Sequence, residues 1–124
     1  MRVRISGNSI RFRLRQSEVQ RFGKHREIKE VISFGSFASE KLSFVLKSIP
    51  SNYFQVSYKS NAITVEVPEA LCKEWTQTAL VGFNETVDTD KGEAISILVE
   101  KDFACLDGTE VENEDAYPNP NHEC

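Results

Sequence analysis

The sequence predicts an α+β fold: a single domain with a mostly antiparallel, curved sheet of about six to seven strands and two short helices. Three observations predict it. Several short segments alternate apolar and polar residues with period two, which is typical of strands with one buried face. Two other stretches carry apolar residues at helical spacing. The chain of 124 residues has the usual size of one domain and is long enough to bury a hydrophobic core.

The N-terminal stretch predicts a β-hairpin with a basic face. Apolar residues alternate with arginines on both sides of a Ser-Gly-Asn-Ser link, whose Gly and Asn accept the positive φ of a tight turn. Pairing the two strands places the apolar side chains, Ile5 among them, on the core side. The basic side chains then share the opposite face: Arg2, Arg4, Arg11, Arg13 and Arg15. Because guanidinium groups this close repel one another, they require water, an anion or carboxylates beside them.

The remaining elements are predicted in chain order. A helix signal begins at Ser17, where Ser17 and Gln20 fit a capping box, and Gly23 is expected to end or weaken that helix early. In the strand at 79–87, Val81 and Phe83 are expected to face inward. Further strand patterns cover 27–34, 41–47, 54–59, 63–67 and 94–105, and a second short helix covers 69–77. The strand at 94–105 is apolar almost throughout its first half, which predicts a central position in the sheet.

The charges of the chain are segregated between its two ends. Residues 1–30 hold nine Lys/Arg and three Asp/Glu, whereas residues 100–124 hold one Lys and eight Asp/Glu. Glu100 and Asp102 have the spacing that lets both meet arginines of a neighbouring strand, and Glu114 and Asp115 belong to an acidic run farther on. Three interpretations stay open. The acidic end folds over the arginine face, or it is solvated and the arginines pair locally, or the arginines hold an external anionic ligand.

We divide the chain into an α+β domain at 1–106 and an acidic, Pro-containing tail at 107–124, packed on or near the domain. Tyr117 is an aromatic residue between acids and prolines and is predicted to anchor the tail. No apolar run approaches the ~20 residues of a membrane span, and no signal-peptide pattern is present. We therefore expect a cytoplasmic protein with no membrane partner.

Both ends of the chain carry a resemblance to a known family. The matching residues are Met1-Arg2-Val3-Arg4, Asn8-Ser9-Ile10-Arg11 and Ser17-Glu18-Val19, then the Glu-Lys-Asp-Phe stretch from Glu100 and the Asp-Ala-Tyr-Pro-Asn-Pro stretch from Asp115. The chain resembles a family of short uncharacterised bacterial proteins, a domain of unknown function. The resemblance implies that the arginine hairpin and the two C-terminal stretches belong together, and it implies no catalytic role.

The first functional hypothesis is a non-catalytic binding or interaction domain without a cofactor. The arginine face, with Asn8 and Ser9 at its turn, would hold an anionic ligand or an acidic protein segment. Arginine suits this role because its planar fork forms bidentate hydrogen bonds with carboxylate and phosphate groups.

Two alternatives come from different classes of function. A small enzyme or metal site could use Glu100 and Asp102 together with Cys105, His122 and Cys124. The basic hairpin could bind nucleic acid, although the acidic pI and the inward-facing Phe12 argue against that partner. The open edges of a sheet also predict either partial barrel closure or a homodimer.

Overall fold

A computed structural model of the chain describes residues 1–89, 92–103 and 115–118. Within these residues the predicted α+β class and the two short helices are confirmed. The strands are β1 (Arg2–Ser6), β2 (Ser9–Leu14), β3 (Glu27–Ser33), β4 (Lys41–Ile49), β5 (Gln55–Lys59), β6 (Ala62–Pro68), β7 (Gly82–Val87) and β8 (Ile95–Lys101). The helices are α1 (Gln16–His25) and α2 (Glu69–Gln77), and a short 3₁₀ turn at Ala38–Glu40 precedes β4.

The strands form two four-stranded sheets rather than one. The first sheet has the order β1-β2-β8-β7 and the second has the order β3-β4-β6-β5. In each sheet the outer pairs are antiparallel and the two central strands are parallel, β2 with β8 and β4 with β6. Over the described residues each sheet stays open, so the predicted barrel closure is not observed.

The two halves of the chain repeat one ββαββ arrangement. The first half runs β1-β2-α1-β3-β4 and the second runs β5-β6-α2-β7-β8. An exchange of the halves maps the parallel pair β2/β8 onto the pair β6/β4, so each sheet contains two strands of each half. The two halves are therefore equivalent in topology, and each sheet is built from strands of both halves.

The hydrogen bonds beside the two hairpin turns fix the correspondence of residues between the halves. The Ser96 N–H donates to the Asn8 carbonyl at 2.9 Å, and the Ser43 N–H donates to the Asn61 carbonyl at 2.9 Å. The sequence distance from Asn8 to Asn61 equals that from Ser43 to Ser96. Both asparagine side chains also donate to a backbone carbonyl that precedes the parallel strand, at 3.4 and 3.3 Å.

One hydrophobic core joins the inner faces of both sheets with both helices. Trp75 of α2 is fully buried at its centre. Its ring meets Phe22 of α1 edge-on at 6.2 Å between centroids and Phe83 of β7 at 5.6 Å. Edge-to-face contacts of this kind are favourable beyond the apolar area that they bury. The indole N–H donates to the Val81 carbonyl at 3.1 Å, so the ring is also hydrogen-bonded.

The start of α1 differs from the predicted capping box. The helix begins at Gln16 with Arg15 as N-cap, and the Glu18 carboxylate accepts the Arg15 N–H at 2.9 Å. Glu18 and Glu30 also pair with the amino group of Met1, which ties β1 to α1 and β3. Gly23 lies inside the helix, which continues to His25, so the predicted early end is wrong.

Two residues predicted to face the core are exposed. Ile5 is 56% exposed because it lies at the open edge of the first sheet, beside the hairpin turn. Val81 is 49% exposed because β7 begins one residue later, at Gly82, and Val81 contributes its carbonyl to Trp75 instead. Among the described residues, no helix has both the length and the apolar character needed to cross a membrane.

We predict opposite effects for alanine at two glycines. A Cβ atom at Gly82 would lie 2.5 Å from the Val99 carbonyl oxygen, so Gly82→Ala should lower the free energy of unfolding by about 1–3 kcal/mol. A Cβ atom at Gly23 would lie 3.4 Å from Thr76, an ordinary contact, so Gly23→Ala should raise it by about 0.5–1 kcal/mol through helix propensity. Urea denaturation of both variants measures these changes, and equal effects would contradict the packing described for β7 and β8.

Candidate anion-binding face

The outer face of the first sheet carries four of the predicted arginines in a grid. Strand register places Arg2 opposite Arg13 and Arg4 opposite Arg11. Neighbouring strands lie ~4.8 Å apart, and residues two apart on one strand are separated by ~6.7 Å. The side chains of Arg2, Arg4, Arg11 and Arg13 therefore project from one small patch, and we use the name arginine face for these four residues.

Glu100 on β8 is the acid that contacts this face. Both Nη2 and Nε of Arg13 donate to its Oε1, at 2.9 and 3.1 Å, and Nε of Arg11 lies 3.4 Å from the same oxygen. Since Arg13 and Glu100 are both partly exposed, solvent screens the pair and it contributes no more than about 1 kcal/mol. The predicted contact between Glu100 and the arginines is thus present in the structure, and three positive charges remain on the face.

Arg2 and Arg4 have no ion-pair partner within the part of the chain that the structure describes. Both are exposed on β1, at the edge of the sheet. They line a shallow cavity of ≈ 310 Å³ together with Val3, Arg11 and Arg13. A neighbouring depression of ≈ 320 Å³ shares Arg4 and Arg11 and extends to Ser9, Ser6 and Leu98. The two depressions form a continuous basic surface that is open to solvent.

The structure places two other predicted residues beside this face rather than on it. Arg15 lies after the end of β2 and serves as N-cap of α1. The Asn8 side chain donates to the Glu93 carboxylate at 3.1 Å and to the Ala94 carbonyl at 3.4 Å, so it ties the hairpin turn to the start of β8. Ser9 lines the neighbouring depression.

Asp115 lies at the N-terminus of α1 and not against the arginines. Its carboxylate accepts the Ser17 N–H at 3.0 Å and contacts the Ser17 hydroxyl, while its carbonyl accepts the Gln16 N–H at 2.9 Å. The first N–H groups of a helix lack partners inside the helix and attract negative charge. The helix terminus therefore takes the acid that the sequence interpretation paired with arginine.

Tyr117 contacts the end of β8. Its N–H donates to the Asp102 carbonyl at 2.7 Å, and its ring lies 5.9 Å from that of Phe103. Burial, and then the charge of Asp115, raise the pKa of the Tyr117 hydroxyl. Asp102 is itself buried, its N–H donates to the Leu14 carbonyl, and it forms no ion pair with an arginine among the described residues.

Sequence reasoning missed the burial of Lys101. Its ammonium group donates to the Thr78 carbonyl at 2.8 Å and lies 6.0 Å from the Trp75 ring centre and 5.3 Å from that of Tyr117. Burial lowers the pKa of Lys101. The alternation of side chains along β8 could have revealed the burial of Lys101, because Lys101 lies on the same inner face as Val99, which is fully buried. The lysine links the end of β8 to α2 and to residues 115–118.

The residues of the alternative enzyme or metal site lie only partly within the described chain. Cys105, Glu114, His122 and Cys124 lie outside the described residues. Among the residues that are described, no group of three or more His, Cys, Asp or Glu side chains is arranged to hold a metal ion. Glu100 and Asp102 lie in different environments, since Glu100 pairs with arginines and Asp102 is buried at the end of β8.

A second cavity lies between the helices and contains the thiol of Cys72. It measures ≈ 420 Å³ and is also lined by Phe22, Arg26, Ser48 and Lys73. Burial is the main cause that raises the pKa of Cys72 from 9.0 to about 11. Because the thiolate is the reactive form, this thiol behaves as a small buried apolar group rather than a nucleophile.

We predict that Cys72 is alkylated slowly. In a variant with Cys105 and Cys124 replaced by serine, the rate of Cys72 alkylation by iodoacetamide at pH 8 should be about 100-fold below that of the same chain in denaturant. The reason is that a pKa of about 11 instead of 9.0 lowers the thiolate fraction of Cys72 by about that factor. The thiol stabilises the fold below pH 9, and this contribution is lost as the pH rises towards the folded pKa of about 11. Equal alkylation rates in the folded and unfolded chains would contradict the burial.

Comparisons with known proteins give a family and no activity. A protein-family model described as a family of unknown function (DUF7009) matches residues 1–121. No curated protein and no solved structure matches the chain. The matched range includes the arginine face, β8 and residues 115–118. The chain therefore belongs to the DUF7009 family of unknown function.

Proposed function

We propose that this protein is a non-catalytic binding domain that holds an anionic group, or an acidic segment of another protein, on its arginine face. The observation that carries the proposal is a comparison inside the molecule. The two sheets share one topology, yet only the first carries clustered arginines on its outer face.

The repeat identifies the counterpart of each arginine in the second sheet. The correspondence of Asn8 with Asn61 aligns β1 and β2 with β5 and β6. The counterparts of Arg2, Arg4, Arg11 and Arg13 are Gln55, Ser57, Thr64 and Glu66. The counterpart of Glu100 is Lys47, so the central charge pair is reversed. The same scaffold therefore forms with neutral or acidic residues at all four places, and folding does not require arginine there.

Clustered arginines carry an energetic cost that a bound anion would remove. Like charges at adjacent cross-strand positions are destabilising, and Glu100 offsets part of that repulsion at Arg11 and Arg13. Arg2 and Arg4 are exposed, and they line the cavity with their guanidinium groups unpaired within the described chain. A guanidinium fork suits carboxylate or phosphate oxygens because it forms bidentate hydrogen bonds with them. Because the face is open to water, we expect binding that weakens as salt increases.

The matched test removes the two edge arginines. Arg2→Gln with Arg4→Gln should weaken binding of inorganic pyrophosphate by up to about thirtyfold, since each of the two exposed charge contacts contributes up to about 1 kcal/mol. The control is Lys29→Gln with Lys47→Gln, which removes the same charge from the outer face of the second sheet. Isothermal titration calorimetry at low salt measures both variants. Equal affinities in all three proteins would refute the proposed site.

A second test concerns the internal carboxylate. The Glu100 carboxylate accepts hydrogen bonds from Arg13 and lies close to Arg11, so an incoming anion must compete with it for these guanidinium groups. We predict that Glu100→Gln strengthens pyrophosphate binding severalfold while lowering the free energy of unfolding by less than about 1 kcal/mol. Calorimetry and urea denaturation give the two values. Weaker binding in this variant would show that Glu100 positions the guanidinium groups instead of competing for them.

A further inference from the structure

The exposed edge of β1 presents unpaired backbone groups. In a hairpin with a two-residue turn, the residues that flank the turn exchange hydrogen bonds, and directly opposite pairs then alternate. Ser6 and Ser9 flank this turn, so Arg4 and Arg2 direct their backbone groups towards β2. The N–H and C=O groups of Val3 and Ile5 consequently point to the open side. No strand among the described residues covers that side, because β1 is the first strand of its sheet.

We infer that β1 docks an extended segment of a partner protein in which acidic and apolar residues alternate, added to the first sheet as a further strand. The inference rests on the proposed function and names the kind of anion that the arginine face receives. Addition of a strand to a free sheet edge is an established mode of peptide recognition, in which backbone hydrogen bonds give affinity and alternate side chains give specificity.

The side chains of β1 define the two faces that the added strand would present. On the outer face its side chains would lie beside Arg2 and Arg4, which favours carboxylates. On the inner face they would lie beside Val3, which is half-buried, and Ile5, which is 56% exposed. An apolar residue there would cover Ile5 and extend the core. Alternation of acid and apolar residues therefore matches both faces of the edge.

The charges of the edges favour a foreign acidic segment over a second copy of this chain. Antiparallel pairing of β1 with β1 of another copy would bring Arg2 and Arg4 beside the same residues of that copy, and like charges at such positions repel. The equivalent edge strand of the second sheet, β5, carries Gln55 and Ser57 at these places. That edge offers the same backbone geometry without the basic side chains.

The experiment compares peptides of equal charge. The first peptide has eight residues that alternate Glu and Val, and the second has the same composition with four Glu followed by four Val. The third is the alternating peptide with N-methyl groups at every second residue, which removes the N–H donors of one edge. Binding is measured by calorimetry, and amide hydrogen exchange of Val3 and Ile5 is followed by NMR. Inorganic pyrophosphate serves as the probe that lacks a backbone.

The expected result is tight binding of the alternating peptide alone, with at least about tenfold slower exchange at Val3 and Ile5. Arg4→Gln should weaken that binding about fivefold, and Lys29→Gln should not change it.

Equal binding of all three peptides, without protection of Val3 and Ile5, overturns strand addition. If pyrophosphate still binds through the arginines, the proposed function stands without it. Loss of all binding, pyrophosphate included, overturns both. A dimer whose Val3 and Ile5 amides are protected before any peptide is added assigns the edge to self-pairing, and it also overturns the inference.

Discussion

The parallel pairing of β2 with β8 is the interaction on which the candidate face depends. It joins residues from the two ends of the chain, and its inner side buries Phe12, Leu14, Ile97 and Val99 almost completely. The burial of these four apolar side chains supplies most of the driving force for the pairing of β2 with β8. The same register then sets Glu100 directly beside Arg13 on the outer side. The polar contacts of the face are therefore a consequence of the apolar pairing beneath it.

The duplicated scaffold separates what folding needs from what the outer surface can vary. Both sheets keep apolar residues on their inner faces, and both hairpin turns use an asparagine whose carbonyl accepts an N–H of the neighbouring parallel strand. The outer faces have diverged, since one carries four arginines and the other a mixture of neutral and charged residues. A surface that can change while the core is retained is where a binding function can arise.

Residues 115–118 show how competing demands distribute the acids. The Asp115 carboxylate accepts the Ser17 N–H and its carbonyl accepts the Gln16 N–H at the start of α1, while Tyr117 contacts Lys101 and Phe103 at the end of β8. A buried ammonium group is costly unless it is hydrogen-bonded, and the Thr78 carbonyl with two aromatic rings provides that environment. The segment therefore caps a helix and covers a buried lysine, while Glu100 alone of the described acids serves the arginine face.

The sequence by itself determined the α+β class, the arginine hairpin and the approach of Glu100 to the arginines, because period-two alternation assigns each strand residue to one face. Only the tertiary structure decided that the strands divide into two sheets with parallel centres, since pairing across the chain depends on which faces pack together and not on local pattern. It likewise decided the internal repeat, which few shared residues reveal, and the place of Asp115. An acid outside the regular helices and strands can satisfy several partners, and packing of the whole chain selects among them.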